Sequence, residues 1–205
     1  MGRPIRSWAL LAVTALLTLT GCGTGTDAVS QGSSFEFVSP GGQTRIFYDP
    51  PQTRGTIQGL SGEDLLQEGK QIRLSDYAGK VVVLNIWGSW CGPCRAEMPH
   101  LQRVYDQTKD SGVQFLGIDV RDENRSAPQD FVRDRGVTYP SIYDPPGRSL
   151  LALKGYPRSV VPSTIVLDRQ HRVAAIFLTA LLDTDLLPVV QRIAAEPAAS
   201  EGPSA

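Results

Sequence analysis

The sequence predicts an α/β protein in which a buried strand leads into a helix. The run Val81–Trp87 is apolar except for Asn85, which is typical of a strand covered on both faces of a sheet. Apolar residues then recur at helical spacing from Leu101 to Thr108, and a second apolar run follows at Val113–Val120. A strand, a helix and a strand at this spacing predict a parallel crossover unit.

Two cysteines lie at the junction between the first predicted strand and the helix. Cys91 and Cys94 enclose Gly92 and Pro93. Pro93 suits the first turn of a helix, where a backbone N–H has no partner in any case. Cys91 would then face unpaired N–H groups and the positive end of the helix dipole, which favour the nucleophilic thiolate. The pattern predicts a redox-active dithiol.

The same cysteines could instead form an inert site. A structural zinc site needs about four ligands, but Cys91 and Cys94 are the only such pair, and His100 and His171 lie outside any ligand spacing. A purely structural disulfide between them would close too short a loop to stabilise the fold much. Exchange chemistry is therefore favoured, and no metal or cofactor is expected beyond the Cys91–Cys94 disulfide itself.

The string LNIWGSWCGPCRAEMP, residues 84–99, resembles the TlpA/ResA/DsbE-like branch of membrane-anchored extracytoplasmic thiol–disulfide oxidoreductases. The resemblance runs from about Leu74 to Ile193. It implies a thioredoxin-like fold, a central mixed sheet flanked by helices, with an N-terminal β-hairpin extension and an extra strand–helix insertion. Cytosolic thioredoxins carry an aspartate where this chain has Asn85. Glu97 instead matches the acidic position of this branch.

The segment before the central strand is predicted to be short strands and loop. Phe35–Val38 and Arg45–Tyr48 flank a Pro-Gly-Gly turn and are expected to pair as the hairpin. Asp49–Lys70 is rich in glycine and proline and is predicted to be mostly loop. Gln71–Leu74 is expected to pair before a turn that Asp76 could cap.

After the second strand, a helix is predicted from Ser126 to about Arg135. Ser126 and Gln129 have the spacing of a capping box, and Gly136 suits the end of the helix. Val113–Arg135 takes the place of the extra strand and helix of the branch. Farther on, Val173–Leu178 is expected to complete an antiparallel hairpin, and the last helix spans roughly residues 184–195.

The second element of the site is the apolar strand Val160–Asp168. A proline can open such a strand because the first position need not donate to the ladder, and sequence alone favours a trans bond. The resemblance implies a cis Val161–Pro162 bond facing the dithiol. It also implies a substrate-contacting rim beside the disulfide, formed by Trp90, Gly92, Pro93, Val161 and Pro162.

The two cysteines are expected to have different tasks. Cys91, at the exposed helix end, would attack, and Cys94, one turn inside, would resolve the mixed disulfide. Glu97 is the only carboxylate within a helical turn of Cys94, and burial would raise its pKa and fit it to act as the base. Helix phase alone leaves a solvated glutamate beside Arg95 equally open, and the resemblance favours the buried base.

The N-terminus is predicted to be a lipoprotein signal peptide, residues 1–21. Arg3 and Arg6 precede an apolar stretch of thirteen residues, which is shorter than the roughly 20 a membrane span needs and which ends in Leu-Thr-Gly-Cys. Cys22 is therefore the expected lipidation site, unless this is an ordinary secretory signal with an unrelated cysteine. Residues 22–34 would form a flexible tether, 35–195 the thioredoxin-like domain and 196–205 a disordered tail.

The resemblance implies a reductase that is anchored at Cys22 on the extracytoplasmic face of the cell membrane. Its substrate would be apocytochrome c, whose haem-attachment cysteines must be reduced, or other secreted thiol proteins, and its electron donor a membrane thiol–disulfide transporter. A general disulfide oxidase or isomerase of the cell envelope remains an alternative. A second alternative is a copper metallochaperone of thioredoxin fold. Such proteins normally have three residues between the cysteines, whereas this chain has two, which argues against it. The net charge of −1 and the lack of a basic cluster do not suggest a nucleic-acid partner.

Replacing the lipidation cysteine tests the anchor. Cys22→Ala should move the protein from the membrane fraction to the soluble extracytoplasmic fraction, because two or more acyl chains hold a protein stably and none would remain. Fractionation and metabolic labelling with a fatty acid measure both effects. A variant that stays in the membrane without the lipid label would contradict the lipoprotein assignment.

Overall fold

The structure is a computed structural model, and it describes residues 34–38 and 41–197. The predicted signal peptide, Cys22, most of the tether and nearly all of the tail lie outside these residues. Eight strands form one mixed sheet in the order β1-β8-β7-β4-β5-β6-β2-β3. The strands are β1 Arg45–Phe47, β2 Ser61–Asp64, β3 Gln71–Arg73, β4 Val81–Trp87, β5 Val113–Asp119, β6 Ser141–Tyr143, β7 Ser163–Leu167 and β8 Val173–Phe177. The α-helices are α1 Gly92–Thr108, α2 Ser126–Asp134 and α3 Asp183–Ala194.

Strand β4 is the centre of the sheet. It pairs in parallel with β5 along its whole length and antiparallel with β7, and all seven of its residues are buried. The crossovers from β4 through α1 to β5, and from β5 through α2 to β6, are both parallel. The predicted bounds of β4, the crossover and the β7–β8 hairpin are confirmed.

Alternate residues of β4 point into two separate cores. Val81, Val83 and Trp87 pack against apolar residues of all three helices. Val82, Leu84 and Ile86 pack on the other side, against the N-terminal segment and a 3₁₀ helix at residues 149–152. This period of two is what a strand buried on both faces requires. The predicted mixed sheet with flanking helices is therefore confirmed, with the helices gathered on one face.

The predicted N-terminal hairpin is wrong. Arg45–Phe47 pairs antiparallel with β8 instead, and Ser34 and Glu36 make isolated bridges to Thr56 and Lys154. The segment 34–38 is held by its apolar side chains, since Phe35 packs edge-on against Tyr48 and Phe37 against Tyr156. Burial of these rings, rather than pairing with the nearest strand along the chain, decides where the segment lies.

One smaller prediction is incomplete, and another is wrong. The stretch expected to be mostly loop contains β2, a polar strand that pairs with both β3 and β6. The start of α2 is not capped by a Ser126–Gln129 box, because Asn124 Oδ1 accepts from the Ser126 N–H and hydroxyl instead. Asp76 does cap its turn, where its carboxylate accepts from the Arg73 N–H at 2.9 Å.

A buried arginine ties the N-terminal segment to the rest of the domain. The Arg54 guanidinium is fully buried and contacts the carboxylates of Asp49, Asp168 and Glu196 at 2.6–3.2 Å. Its Nε also donates to the Tyr48 carbonyl. Asp168 is the buried carboxylate of this network, and removing one partner of a buried ion pair typically costs about 3–5 kcal/mol, because the remaining charge is left uncompensated.

Within the described ranges, no helix is both long and apolar enough to cross a membrane.

Candidate redox site

The two cysteines form a disulfide at the start of α1. Cys91 is the N-cap residue, and its Sγ accepts a hydrogen bond from the Cys94 N–H at 3.2 Å. Cys91 is 4% exposed and Cys94 is fully buried, while Gly92 and Pro93 between them are exposed. A helix N-terminus stabilises negative charge on the sulfur that caps it. The geometry therefore suits Cys91 to attack the substrate and the buried Cys94 to resolve the mixed disulfide.

Glu97 lies one helical turn after Cys94 and is buried, as the resemblance implies. Its carboxylate accepts from Asn85 Nδ2 at 2.9 Å and from the Leu181 N–H at 3.0 Å. Burial raises the pKa of Glu97 to about 7, while these two hydrogen bonds oppose the rise. A carboxyl with this pKa exchanges its proton near neutral pH, which is what a general base or acid requires. That it serves Cys94 stays a prediction.

Asn85 links this acid to the sheet. It lies opposite Thr164 in the β4–β7 register, and its Nδ2 also donates to Thr164 Oγ1 at 3.2 Å. Asn85 has no charge, so it orients Glu97 without pulling its pKa far down. Sequence reasoning missed Thr164 and the Leu181 N–H. The second is supplied by the segment after β8, whose backbone the sequence left undetermined.

Trp90 forms an exposed ledge next to Cys91. Trp90 is the large aromatic residue of the rim, and it is 49% exposed to solvent. Its Nε1 donates to the Val120 carbonyl at 3.0 Å. The Arg121 guanidinium stacks over the ring at 4.8 Å from its centroid. A side chain at Gly88 would overlap the indole, so only glycine allows the ring to fold back in this way. Trp87, by contrast, is fully buried and packs against Phe131.

The segment before β7 completes the rim. The Val161–Pro162 bond is cis, as expected from the resemblance. Val161 is half-buried and packs against the cluster of buried residues that contains both cysteines. The structure thus brings the two separate stretches of predicted site residues to one place.

The histidines lie away from the disulfide. His100 Nδ1 is 3.1 Å from the Asp183 carboxylate, and Arg103 contacts both groups. His171 lies in the β7–β8 turn, where its Nε2 is 3.1 Å from the Tyr77 carbonyl oxygen. Neither ring is arranged to join the two sulfurs as a third ligand.

A second buried acid, Asp119, was not singled out from the sequence. It ends β5 and is fully buried, and as a carboxylate it would have no hydrogen-bond donor within residues 34–38 and 41–197. Burial, followed by the neighbouring Asp122 and Asp144, raises the pKa of Asp119 to about 9. At neutral pH it is therefore a neutral acid that can donate to Asp122. An acidic residue at the end of an apolar strand is the only signal the sequence offers.

Asp122 connects this acid to the loop that carries the cysteines. Its carboxylate accepts from both the N–H and the hydroxyl of Ser89, each at 2.6 Å. Ser89 lies two residues before Cys91. Asp122 thus fixes the loop between β4 and α1.

A thioredoxin-like sheet with a disulfide at the start of the helix after its central strand, facing a cis-proline, defines a thioredoxin-fold thiol–disulfide exchange protein. The chain belongs to the AhpC/TSA family, whose family model matches residues 59–176. The resemblance to the TlpA/ResA/DsbE-like branch is confirmed by the relatives that follow.

Curated relatives carry the name thiol-disulfide oxidoreductase ResA. The protein from Bacillus thuringiensis subsp. konkukian is 36% identical over 106 residues, which are 52% of this chain and 59% of that protein. The protein from Geobacillus kaustophilus is 34% identical over 119 residues, 58% of this chain and 66% of that protein. The matches thus cover less than two thirds of the length of these relatives.

Two solved structures match over nearly their whole length. A secreted thiol-disulfide isomerase from Corynebacterium glutamicum is 46% identical, with a TM-score of 0.77, and the match covers 80% of this chain and 100% of that one. A DsbF homologue from Corynebacterium diphtheriae is 48% identical, with a TM-score of 0.74, over 78% of this chain and 99% of that one.

Glu97→Gln tests the buried base. The decay of a mixed disulfide at Cys91 requires Cys94 to lose its proton, so its rate should rise through about pH 7 as Glu97 ionises. The variant should lose this rise and be slower by about 100-fold at pH 8. Stopped-flow measurement of the decay from pH 5 to 9 gives the profile, and thermal unfolding controls for the fold. An unchanged profile would reduce Glu97 to a packing residue.

Asp119→Asn tests the second acid through stability. Between about pH 4, the ordinary range for aspartate, and pH 9, the folded state holds a proton that the unfolded state has lost, so this group lowers the free energy of unfolding as pH rises. The variant has no such proton. The free energy of unfolding of the variant, relative to that of the wild type, should therefore increase by up to about 1.4 kcal/mol for each unit by which the pH rises. Urea unfolding from pH 5 to 8 measures the gain, with exposed Asp110→Asn as the control for loss of a surface carboxylate. A difference independent of pH would contradict the buried neutral acid.

Proposed function

We propose that this protein is an extracytoplasmic thiol–disulfide oxidoreductase, anchored to the membrane by lipid at Cys22, that reduces the haem-attachment cysteines of apocytochrome c. The observation that carries the proposed exchange activity is the Cys91–Cys94 disulfide at the start of α1, with the buried acid Glu97 one turn behind it. The relatives named as thiol-disulfide oxidoreductases and as a secreted isomerase support the activity and the compartment.

The reaction follows from the two environments of the cysteines. In the reduced protein, the Cys91 thiolate attacks one sulfur of the substrate disulfide, a mixed disulfide forms and the other substrate sulfur leaves as a thiolate. Cys94 then gives its proton to Glu97 and attacks Cys91, which expels the second substrate sulfur and closes the Cys91–Cys94 disulfide. The substrate gains two electrons, and its two thiolates take up one proton from Glu97 and one from water. A membrane thiol–disulfide transporter then returns two electrons to the protein, and Cys94 regains a proton from water.

The direction of electron flow is argued from the sequence between the cysteines. Gly92-Pro93 resembles the strongly reducing thioredoxins, and a lipid anchor would hold the protein near a membrane donor. Apocytochrome c presents a Cys-x-x-Cys-His motif, which must be a free dithiol before haem is attached. These three points favour reduction of apocytochrome c over other secreted thiol proteins.

A second candidate is a general oxidase or isomerase of the cell envelope. It is favoured by the names of the two structural relatives that the chain covers almost completely, a secreted thiol-disulfide isomerase and a DsbF homologue. The potential of the Cys91–Cys94 couple separates the two, since a couple more oxidising than about −200 mV suits oxidative folding. The copper metallochaperone is disfavoured, because His100 and His171 are engaged with Asp183 and Tyr77 instead of the sulfurs.

Cys94→Ser should trap the substrate. With no inner thiol, the reaction stops at the mixed disulfide on Cys91, whereas Cys91→Ser should trap much less because only the buried thiol remains. In a cell that makes c-type cytochromes, the trapped partner should be apocytochrome c, joined through its haem-attachment cysteines. Mature c-type cytochromes should be lost and partly restored by a small external thiol. Non-reducing gels, mass spectrometry and haem staining measure these outcomes.

Two results would overturn the reductase proposal. One is a normal level of c-type cytochromes together with mixed disulfides to many unrelated secreted proteins, which would assign the protein to oxidative folding. The other is the absence of any mixed disulfide in Cys94→Ser, with Cys91 still reactive toward a thiol reagent, which would argue against exchange chemistry altogether.

A further inference from the structure

A groove of about 550 Å³ opens beside the redox site. Its walls come from three segments: the end of β5, the turn after β6 and the stretch that precedes the cis-proline. Its floor is apolar, from Val120, Pro145 and Leu150, and its polar lining includes the arginines Arg121 and Arg158. An apolar floor with fixed polar groups at the rim is the usual composition of a ligand site.

Arg121 is held in place before any ligand arrives. Its backbone is in the left-handed region, with φ of 61°, and its N–H donates to the Pro145 carbonyl at 3.0 Å. Its guanidinium stacks on Trp90 and donates through Nη2 to the Ser159 carbonyl at 3.1 Å. An L-residue adopts this backbone conformation only where its surroundings enforce it. The remaining donors of the guanidinium are pre-oriented at the rim.

Neither arginine of the groove is neutralised. Within the part of the chain that the structure describes, Arg121 and Arg158 contact no carboxylate, whereas Arg54, Arg125 and Arg172 are all ion-paired. The groove thus carries two positive charges without counter-charges in its lining.

Among the described residues, the nearby acids form no ion pair with either arginine. Asp122 is engaged with Ser89, and Asp144 accepts from the Ser149 N–H and hydroxyl. Asp119 is buried below the surface, and Glu123 is exposed but does not line the groove. An anion of the partner is therefore the complement that the groove lacks.

The groove adjoins both walls of the site. Trp90, under Arg121, is the residue before Cys91, and Ser159, which Arg121 contacts, lies three residues before Pro162. We propose that this groove binds an acidic segment of the substrate polypeptide, with one or two carboxylates next to the substrate's disulfide. The proposal rests on the proposed exchange activity and adds a preference among substrates. Arginine is suited to this because its planar fork can bind a carboxylate through two hydrogen bonds.

Matched peptides test the preference. Each peptide carries one disulfide-closed Cys-x-x-Cys loop, with either two glutamates or two glutamines on one flank, and both flanks are tried in separate pairs. The reduced full-length protein should reduce the glutamate peptide of one pair about three- to tenfold faster than its glutamine partner at low salt. The preference should fall as salt screens the charges. Stopped-flow tryptophan fluorescence gives the rate constants.

Charge reversal in the groove locates the effect. Arg158→Glu should abolish the preference, because the two positive charges of the groove fall to a net charge of zero, and Arg158→Lys should largely keep it. Arg73→Glu is the matched control, because Arg73 is exposed on β3, away from the groove, and has no ion pair in the described ranges. The quantity compared is the ratio of the two rate constants within each variant, so a common change at the disulfide cancels.

The outcomes separate this proposal from the proposed activity. Equal rates for both members of every pair, or a ratio that Arg158→Glu leaves unchanged, would overturn the acidic-segment proposal while the exchange activity stands. If no peptide disulfide is reduced, the exchange activity fails instead. In that case the acidic-segment proposal is tested by binding, as the affinity of the oxidised protein for the same peptides with serine in place of cysteine. Equal affinity for the glutamate and glutamine versions would overturn it in that case as well.

Discussion

The burial of β4 on both faces is the constraint on which the rest of the structure depends. All seven of its residues pair with β5 on one side, five of them also pair with β7 on the other, and none has an exposed face. Where β4 ends, the chain must leave the sheet, and Gly88 and Ser89 turn it into α1. The cysteines are therefore placed by the end of a strand that cannot shift its register without exposing a core. The antiparallel partner β7 begins at the same end, which brings Pro162 there too.

Polar groups in such a core must be neutral or paired. Asn85 and Thr164 face each other across β4 and β7 and bond to one another. Glu97 and Asp119 are both buried, and burial raises the pKa of both. They differ in what they contact: Glu97 has two donors and so titrates near neutrality, whereas Asp119 has none and stays neutral further into alkaline pH. One acid is suited to exchanging protons, and the other is held as a neutral group at the buried end of β5.

Features that depend on neighbours in sequence could be predicted, and those that depend on distant pairing could not. The bounds of β4, the position of the cysteines at the start of α1 and the β7–β8 hairpin are written in continuous apolar runs and local turn residues. By contrast, Arg45–Phe47 pairs with a strand some 130 residues away. The polar sequence of β2 shows no strand pattern, and the segment is extended because it pairs with β3 and β6. The resemblance supplied what local pattern left open, the burial of Glu97 and the cis bond before Pro162. It did not reveal Asp119 or Arg121, whose properties arise only from the residues packed around them.

The entry point of the chain bears on how an anchored protein would use this site. Thr56, which bridges to Ser34 at the start of the described domain, also bridges to Arg172 in the turn between β7 and β8. Since β7 begins beside the disulfide and ends at this turn, the chain enters the domain at the end of the sheet opposite to Cys91. Under the proposed anchor at Cys22, the disulfide, the Trp90 ledge and the arginine groove all lie at the far end of the domain from the tether. A substrate outside the membrane then meets the disulfide directly, whereas a donor within the membrane can reach it only when the domain tips over. Under the proposed anchor, substrate and membrane donor would therefore meet the same disulfide in different orientations of the domain.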